Sequence, residues 1–419
     1  MTLPPILAAL RKHKSGVVLI TLQIALTLAV VCNAVFIIAR RVERVQRPTG
    51  MDEHNLFLIQ QQFVNAPSGD TVAARDKRYA MVSGDLQILR GLPDVQAVAD
   101  VSSLPLLQSS NNGAVGLKPD QSNATAFSTF YSVGDQALKT LGLRLIAGRN
   151  FTPTEITHGG DGGDSEPPLT IVTKALADKL FPAGDALGKT IYFNGSAKPT
   201  TIIGVIARMQ TPNVGWGTNY TWNSVLVPEL PIDSFTRTAV RAKPGRMRQA
   251  MREARAALLA HDPMRLINDN VGGLWGVHSF ADVRTAAYRA DVGMAILMSV
   301  ISVILLCVTG AGIVGLTSFW VGQRTKQIGI RRALGATRAN IVHYFQLENL
   351  FISVIGSVLG AILAVGLNLW LVKQFSMDRM PVWYVLVGVV ALLLLGQLAV
   401  LAPARRASRV PPVVATRSV

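Results

Sequence analysis

Four stretches of the chain are uncharged and apolar at nearly every position: 17–39, 292–321, about 350–372 and 382–402. Each is long enough to cross about 30 Å of hydrocarbon as a helix, which takes about 20 residues. Residues 40–290 follow a different pattern, with short apolar runs broken by Gly, Pro and Asp. Short β-rich or alternating runs predict strands over 52–64, 95–101, 168–172, 190–193 and 200–207, with another strand and turn in GLRLIAGRNF. Helical spacing puts Tyr79, Val82, Leu86 and Leu89 on one face of a helix over 76–92. Further helices are expected over 136–141, 174–181 and 247–260. The pattern predicts a membrane protein, α-helical with four transmembrane helices, and an α/β domain inserted between helices 1 and 2.

Charge gives the expected orientation. The 419-residue chain is 49% hydrophobic and carries a net charge of +16. The basic residues cluster beside the spans, so the charge points to a membrane and not to nucleic acid. Arg11, Lys12 and Lys14 precede helix 1, and residues 3–14 (LPPILAALRKHK) predict a short helix on the membrane surface. Arg324, Lys326, Arg331, Arg332 and Arg338 lie between helices 2 and 3, and Arg405, Arg406, Arg409 and Arg417 follow helix 4. The loop between helices 3 and 4 has only Lys373 and Arg379. The positive-inside rule then makes both termini and the 2–3 loop cytoplasmic and the inserted domain external. Arg40, Arg41, Arg44 and Arg47 oppose this, but long domains cross largely regardless of charge. Helix 1 is expected to be an uncleaved anchor, since Ala39 is followed by Arg-Arg and no small-residue cleavage site. Cys32 and Cys307 both fall in spans, as packing residues, and leave the inserted domain without a disulfide framework.

Little in the chain points to catalysis. Residues 181–190, FPAGDALGKT, end like a nucleotide-binding loop, but the first Gly of that motif falls at Ala183. Ile191, Tyr192 and Phe193 follow as a strand, where a phosphate-binding helix would begin. The expectation is a turn and no ATPase. The six histidines (His13, His54, His158, His261, His278 and His343) show no metal-ligand spacing, and the Gly- and Asp-rich stretch 158–168 fits no calcium-loop spacing. No metal, catalytic residue or cofactor is expected. Gln23, Asn33, Asn368 and Gln397 are expected to hydrogen-bond between spans. Helix 2 is long enough to extend past the bilayer core as a stalk.

The most informative segment is 323–345, QRTKQIGIRRALGATRANIVHYF. On a helix, Ile330, Ala333 and Leu334 share one face, and Gln327, Arg331 and Arg332 the other. Ile328 falls between the two arginines. An apolar residue there suits insertion into a cleft of a second protein. An interfacial helix that only stabilises the fold is the alternative. Gly335-Ala336 should end this helix and Thr337 cap the next. Helix 3 carries Gly356-x-x-x-Gly360, which suits close helix approach, either within the subunit or across a dimer.

Residues 324–336, RTKQIGIRRALGA, resemble the coupling segment of the FtsX/MacB-type ABC transporter permeases, with Gln327 where the family usually has Glu. SVGDQALKTLGLRLIAGRNF, ALADKLFPAGDALGKTI and IIGVIARM resemble the family's periplasmic core domain, and APARRASRVPPVVATR its C-terminal tail. The resemblance implies nine segments: a cytoplasmic interfacial helix (1–16), helix 1 (17–39), a periplasmic α/β core domain of two subdomains (40–290), helix 2 (291–321), a cytoplasmic coupling segment (322–346), helix 3 (347–372), a short periplasmic loop (373–381), helix 4 (382–402) and a cytoplasmic tail (403–419). It implies a non-catalytic subunit of the bacterial inner membrane, with ATP bound by a separate ATPase polypeptide. Gln327, Ile328, Gly329, Arg331, Arg332, Ala333, Leu334, Gly335 and Ala336 would couple to that ATPase, and Glu348 would pair with an arginine of the coupling loop. Further implied partners are a second permease copy or a paralogue, a periplasmic adaptor, an outer-membrane channel and membrane lipid. The implied function is mechanotransmission for efflux of an antibiotic or peptide. Lipoprotein release and a non-transporting signalling platform are the alternatives.

Overall fold

The structure is a computed structural model that describes residues 14–69, 71–159, 167–215, 220–267, 274–375 and 378–411. Residues 1–13 of the expected surface helix, 160–166 of the acidic loop and 412–419 of the tail lie outside the described residues. Contacts divide the chain into two units, Gln46–Ala290 and a membrane unit formed by the two flanking parts.

In chain order the membrane unit begins with α1 (Lys14–Val45). The inserted unit follows: β1 (Leu56–Phe63), α2 (Val72–Arg90), β2 (Val95–Asp100), β3 (Asn111–Gly116), β4 (Ala126–Val133), α3 (Ala137–Leu141) and β5 (Leu145–Gly148). A 3-10 turn at Pro153–Glu155 leads to β6 (Thr157–Gly159), β7 (Leu169–Thr173), α4 (Lys174–Leu180), β8 (Thr190–Phe193) and β9 (Thr200–Ile206). Then come β10 (Ser224–Pro231), β11 (Phe235–Ala242), α5 (Met247–His261), β12 (Arg265–Leu266) and β13 (Gly276–Ser279). The helices α6 (Phe280–Gln323), α7 (Thr325–Ala333), α8 (Arg338–Phe375) and α9 (Val382–Ser408) complete the chain.

The inserted unit has two lobes. In the first, the sheet runs β12-β1-β11-β2, with β13 also on β1. Antiparallel register sets Phe57 opposite Val240 and Ile59 opposite Thr238. Side chains alternate across a strand, so Phe57, Ile59 and Phe63 share one face. They pack with Val82, Leu86 and Leu89 of α2 and Ala250, Ala254 and Leu258 of α5. Beneath α2, Arg265 donates to Asp85 Oδ2 at 2.6 Å and Gln61 Oε1 at 3.1 Å. In the second lobe β4, β3, β8, β9, β7 and β10 form a closed circuit, because β10 also pairs with β4. Its core holds Val115, Phe130, Ile191, Phe193, Ile202 and Val225, capped by Leu176 and Leu180 of α4. The Gly-Lys-Thr sequence here is a turn: Gly184 and Gly188 take positive φ, +81° and +78°, and Thr190 opens β8. Lys189 pairs with Asp185 at 3.0 Å.

In the membrane unit, α8 packs against both α1 and α9. Gly356 and Gly360 of α8 face α1 of the same chain: a Cβ at Gly360 would lie 2.9 Å from Ala25 Cα, and one at Gly356 3.0 Å from Ile24. Of the two possibilities open in the sequence, this pair serves packing within the subunit. Gly360→Ala is expected to lower unit stability by about 1–3 kcal/mol through overpacking. Gly366→Ala, where nothing lies within 4 Å, should leave it unchanged. Thermal unfolding of the two variants in nanodiscs checks this, and equal midpoints would discard the packing role.

Polar groups cross-link the spans. Gln23 donates to Val308 O at 3.0 Å, Thr27 and Thr309 hydroxyls lie 2.7 Å apart, and Asn33 donates to Ala364 O at 3.0 Å. Asn368 instead accepts from the Met380 amide, and Gln397 Nε2 has no partner among the described residues. The interhelical role expected of these last two is therefore corrected. Of the four arginines that opposed the orientation rule, three have carboxylate partners: Arg41 and Arg44 reach Asp291 at 2.5 and 3.5 Å, and Arg40 lies 3.7 Å from Asp378.

Candidate functional site

Because the sequence offers no catalytic constellation, the candidate site is the turn between the second and third spans. α6 ends at Gln323, and Arg324 turns the chain, its amide donating to Trp320 O and Val321 O at 3.1 and 3.2 Å. α7 then runs for nine residues. Arg331, Arg332, Leu334, Gly335 and Ala336 close it in a Schellman motif. The Gly335 amide donates to Arg332 O at 3.2 Å and the Ala336 amide to Arg331 O at 3.0 Å. Gly335 takes φ +98°, a conformation that costs a residue with a Cβ. Thr337 Oγ1 accepts from the Asn340 amide at 3.2 Å and starts α8.

Three contacts hold this turn rigidly on the bundle. The first is Ile328, only 5% exposed, in the core with Trp320, Ile341, Phe345, Ala404 and Ala407. Gly329 beside it is buried as well. The second is the Arg324 guanidinium, which donates from Nη1 to both oxygens of Glu348, at 3.0 and 2.9 Å. Glu348 is buried, so a carboxylate of the third span pairs directly with the loop. The third is Arg332, donating to Ser408 O at 2.8 Å and Val410 O at 3.2 Å. Arg331 is exposed and lies 4.9 Å over the Tyr344 ring.

The outward face carries Lys326, Gln327, Ile330, Ala333 and Leu334, all exposed. Leu334 is 83% exposed and Ile330 48%. The expectation that Ile328 inserts into a partner is thereby corrected. It anchors α7 to its own bundle, and the Ile330, Ala333 and Leu334 face is the one left open. Ile328 and Ile330 lie about 200° apart on a helix, so one must face away when the other packs. Sequence reasoning passed over Trp320 and Tyr344, whose rings receive Arg324 and Arg331. Neither stands out among the other aromatic residues near the spans.

A family model described as the MacB-like periplasmic core domain matches residues 19–257, and one described as the FtsX-like permease C-terminal region matches 299–412. The chain belongs to the FtsX/MacB-type family of ABC transporter permeases. The permease is similar to the macrolide export ATP-binding/permease protein MacB of Neisseria gonorrhoeae, 28% identical over 264 residues. That match covers 61% of this chain and 38% of the MacB protein, so the permease spans well under half the length of these relatives. It is also similar to the uncharacterized ABC transporter permease YknZ of Bacillus subtilis, 23% identical over 84% of this chain and 83% of that protein. Among solved structures, the periplasmic region of MacB from Actinobacillus actinomycetemcomitans aligns at 15% identity, covering 58% of this chain and 97% of that one, with a TM-score of 0.35. The permease is a multi-pass membrane protein: among the described residues four helices are long and apolar enough to span, with a periplasmic core domain between the first two.

Proposed function

We propose that the permease is the membrane subunit of an ABC exporter in the bacterial inner membrane, moved by a cytoplasmic ATPase that docks on the Ile330–Ala333–Leu334 face of α7. The carrying observation is a leucine 83% exposed on a helix held in place by one buried and two part-buried contacts. A leucine left uncovered by its own fold gains burial when a partner covers it, and apolar anchors in a partner's cleft dominate binding energy. The cytoplasmic side of this loop is supported by its five basic residues. Motion imposed on α7 reaches α6 through Arg324, and α8 through Glu348. α6 is one unbroken helix of 44 residues, about 66 Å at 1.5 Å per residue, and can carry a displacement to its Phe280 end.

The names of the MacB relatives, macrolide export ATP-binding/permease proteins, support ATP-driven export of an antibiotic, and the YknZ name supports an ABC transporter permease. The working assembly would pair this subunit with a second copy or a paralogous permease, together with a periplasmic adaptor and an outer-membrane channel. To test the docking face, the tagged chain is purified from native membranes in nanodiscs, as wild type and as Ile330→Asp/Leu334→Asp. Wild type should retain an ABC ATPase. The double variant should lose at least about tenfold of it, as expected when apolar anchors worth about 2 kcal/mol or more are removed. Its melting temperature should not change. A double variant that keeps its ATPase sinks the docking face.

A further inference from the structure

Between the two lobes of the periplasmic core domain lies a cleft of about 210 Å³. One wall is a single face of α2, with Tyr79, Ser83, Gln87 and Arg90. The opposite wall comes from the turn after β4, with Asp135 and Gln136, and from β6, with His158. Tyr79 and His158 rings meet at 3.9 Å. At the end of β2, Asp100 lines the cleft with 1% of its surface exposed. Its Oδ1 accepts from Thr238 Oγ1 at 3.0 Å, but Oδ2 has no partner among the described residues.

The neighbouring charges leave Asp100 uncompensated. On α2, Asp85 faces it and is itself paired with Arg265 of β12. On β11, the Arg237 guanidinium turns to Gln60 Oε1, Ser102 O and Ser109 Oγ. Arg90 and Asp135 offset each other in net charge. A buried carboxyl oxygen without a donor is costly. Burial pushes the Asp100 carboxyl well above the usual carboxylate range and Asp85 adds to it, against the weaker opposing effects of the Thr238 hydrogen bond, Arg237 and the Val101 amide.

We propose that this cleft is a binding site for an organic ammonium ion, whose N–H group pairs with Asp100 Oδ2 while its apolar body lies against Tyr79 and Leu86. An anion would meet two carboxyl groups, and a neutral guest would bring no charge to Asp100. A quaternary ammonium has no N–H to donate. A primary or secondary ammonium supplies both donor and charge, and the Tyr79 ring adds a cation–π wall. The ammonium keeps its proton. The ion pair needs the Asp100 carboxylate, so a proton held by this carboxyl passes to buffer on binding, and affinity should weaken as pH falls.

The test is calorimetric titration of the full chain in nanodiscs with benzylamine and its neutral counterpart benzyl alcohol, in two buffers of different ionisation enthalpy. Benzylamine should bind one to one with proton release, and benzyl alcohol at least about tenfold more weakly. Asp100→Asn preserves shape, removes a buried acid and should fold. It should lose at least about tenfold in benzylamine affinity, together with the proton release. Triglycine and its N-acetyl form separate the two sources of such a group. Amine-dependent triglycine binding assigns the site to a peptide amino terminus, and its absence to a small free amine. The proposal is overturned if benzylamine does not bind, if benzyl alcohol binds equally, or if Asp100→Asn keeps both affinity and proton release.

Discussion

Glu348→Ala is expected to destabilise the membrane unit by about 3–5 kcal/mol, because it leaves the Arg324 guanidinium buried without its counter-charge. The side chains are 11% and 2% exposed and meet through two hydrogen bonds, so water cannot take over the role of the lost partner. Arg324→Ala should cost a similar amount. The double variant Arg324→Ala/Glu348→Ala should recover most of the loss, since neither charge is then left alone. Thermal unfolding in nanodiscs reads all three. Single variants within about 0.5 kcal/mol of wild type, the usual range for independent surface sites, would show that the pair is not structural. The double variant adds a functional readout. With stability restored but the Arg324 link absent, α7 keeps its apolar contact through Ile328 and has lost its ion-pair tie to the third span. If the proposed function holds, an ATPase should still co-purify while export falls.

The spans could be read from the sequence because hydrocarbon imposes a severe filter: a run of about 20 uncharged, apolar residues rarely arises in a water-soluble core. The inserted domain was readable where apolar periodicity is clean, as in α2 and α5. It was not readable in β10, where Pro228 and Pro231 argue against a strand and seven of eight positions are buried without alternation. β11 was obscured differently. Thr236, Thr238 and Arg241 look solvent-facing but are buried, because Arg241 bonds Asp52, His54 O and Thr140 O. Helix α7 shows a third kind of limit. Its sequence contains two apolar sets on opposite faces, and only the packing of Ile341, Phe345 and Ala404 decides which one is covered. Likewise Gly356 and Gly360 state that a helix comes close, without stating which helix. Asp100 left no sequence signal, since an isolated acid at the end of a strand is ordinarily exposed.

Asp85→Ala should be the most damaging change in the periplasmic core domain, at about 3–5 kcal/mol. Asp85 and Arg265 are 3% and 1% exposed, and Gln61 donates to the same Asp85 oxygen at 2.6 Å that Arg265 uses. Removing the carboxylate strands a guanidinium that lies among Phe63, Gln61 and the Asp262 carbonyl. For a unit of this size the loss corresponds to a fall of roughly 6–20 °C in its unfolding transition, measurable by calorimetry of the full chain. The triple variant Gln61→Leu/Asp85→Leu/Arg265→Met should regain much of that stability, because matched apolar residues avoid both desolvation and orphaned partners. A shift under about 1 °C for Asp85→Ala would refute the buried-triad account. The triad also bears on the cleft. It ties the middle of α2 to β1 and β12, and the same helix presents Tyr79, Ser83 and Gln87 to the Asp100 site. Asp85→Ala should therefore weaken benzylamine binding even below its unfolding temperature, whereas the triple variant, which repacks α2 on the sheet, should bind benzylamine much as wild type does.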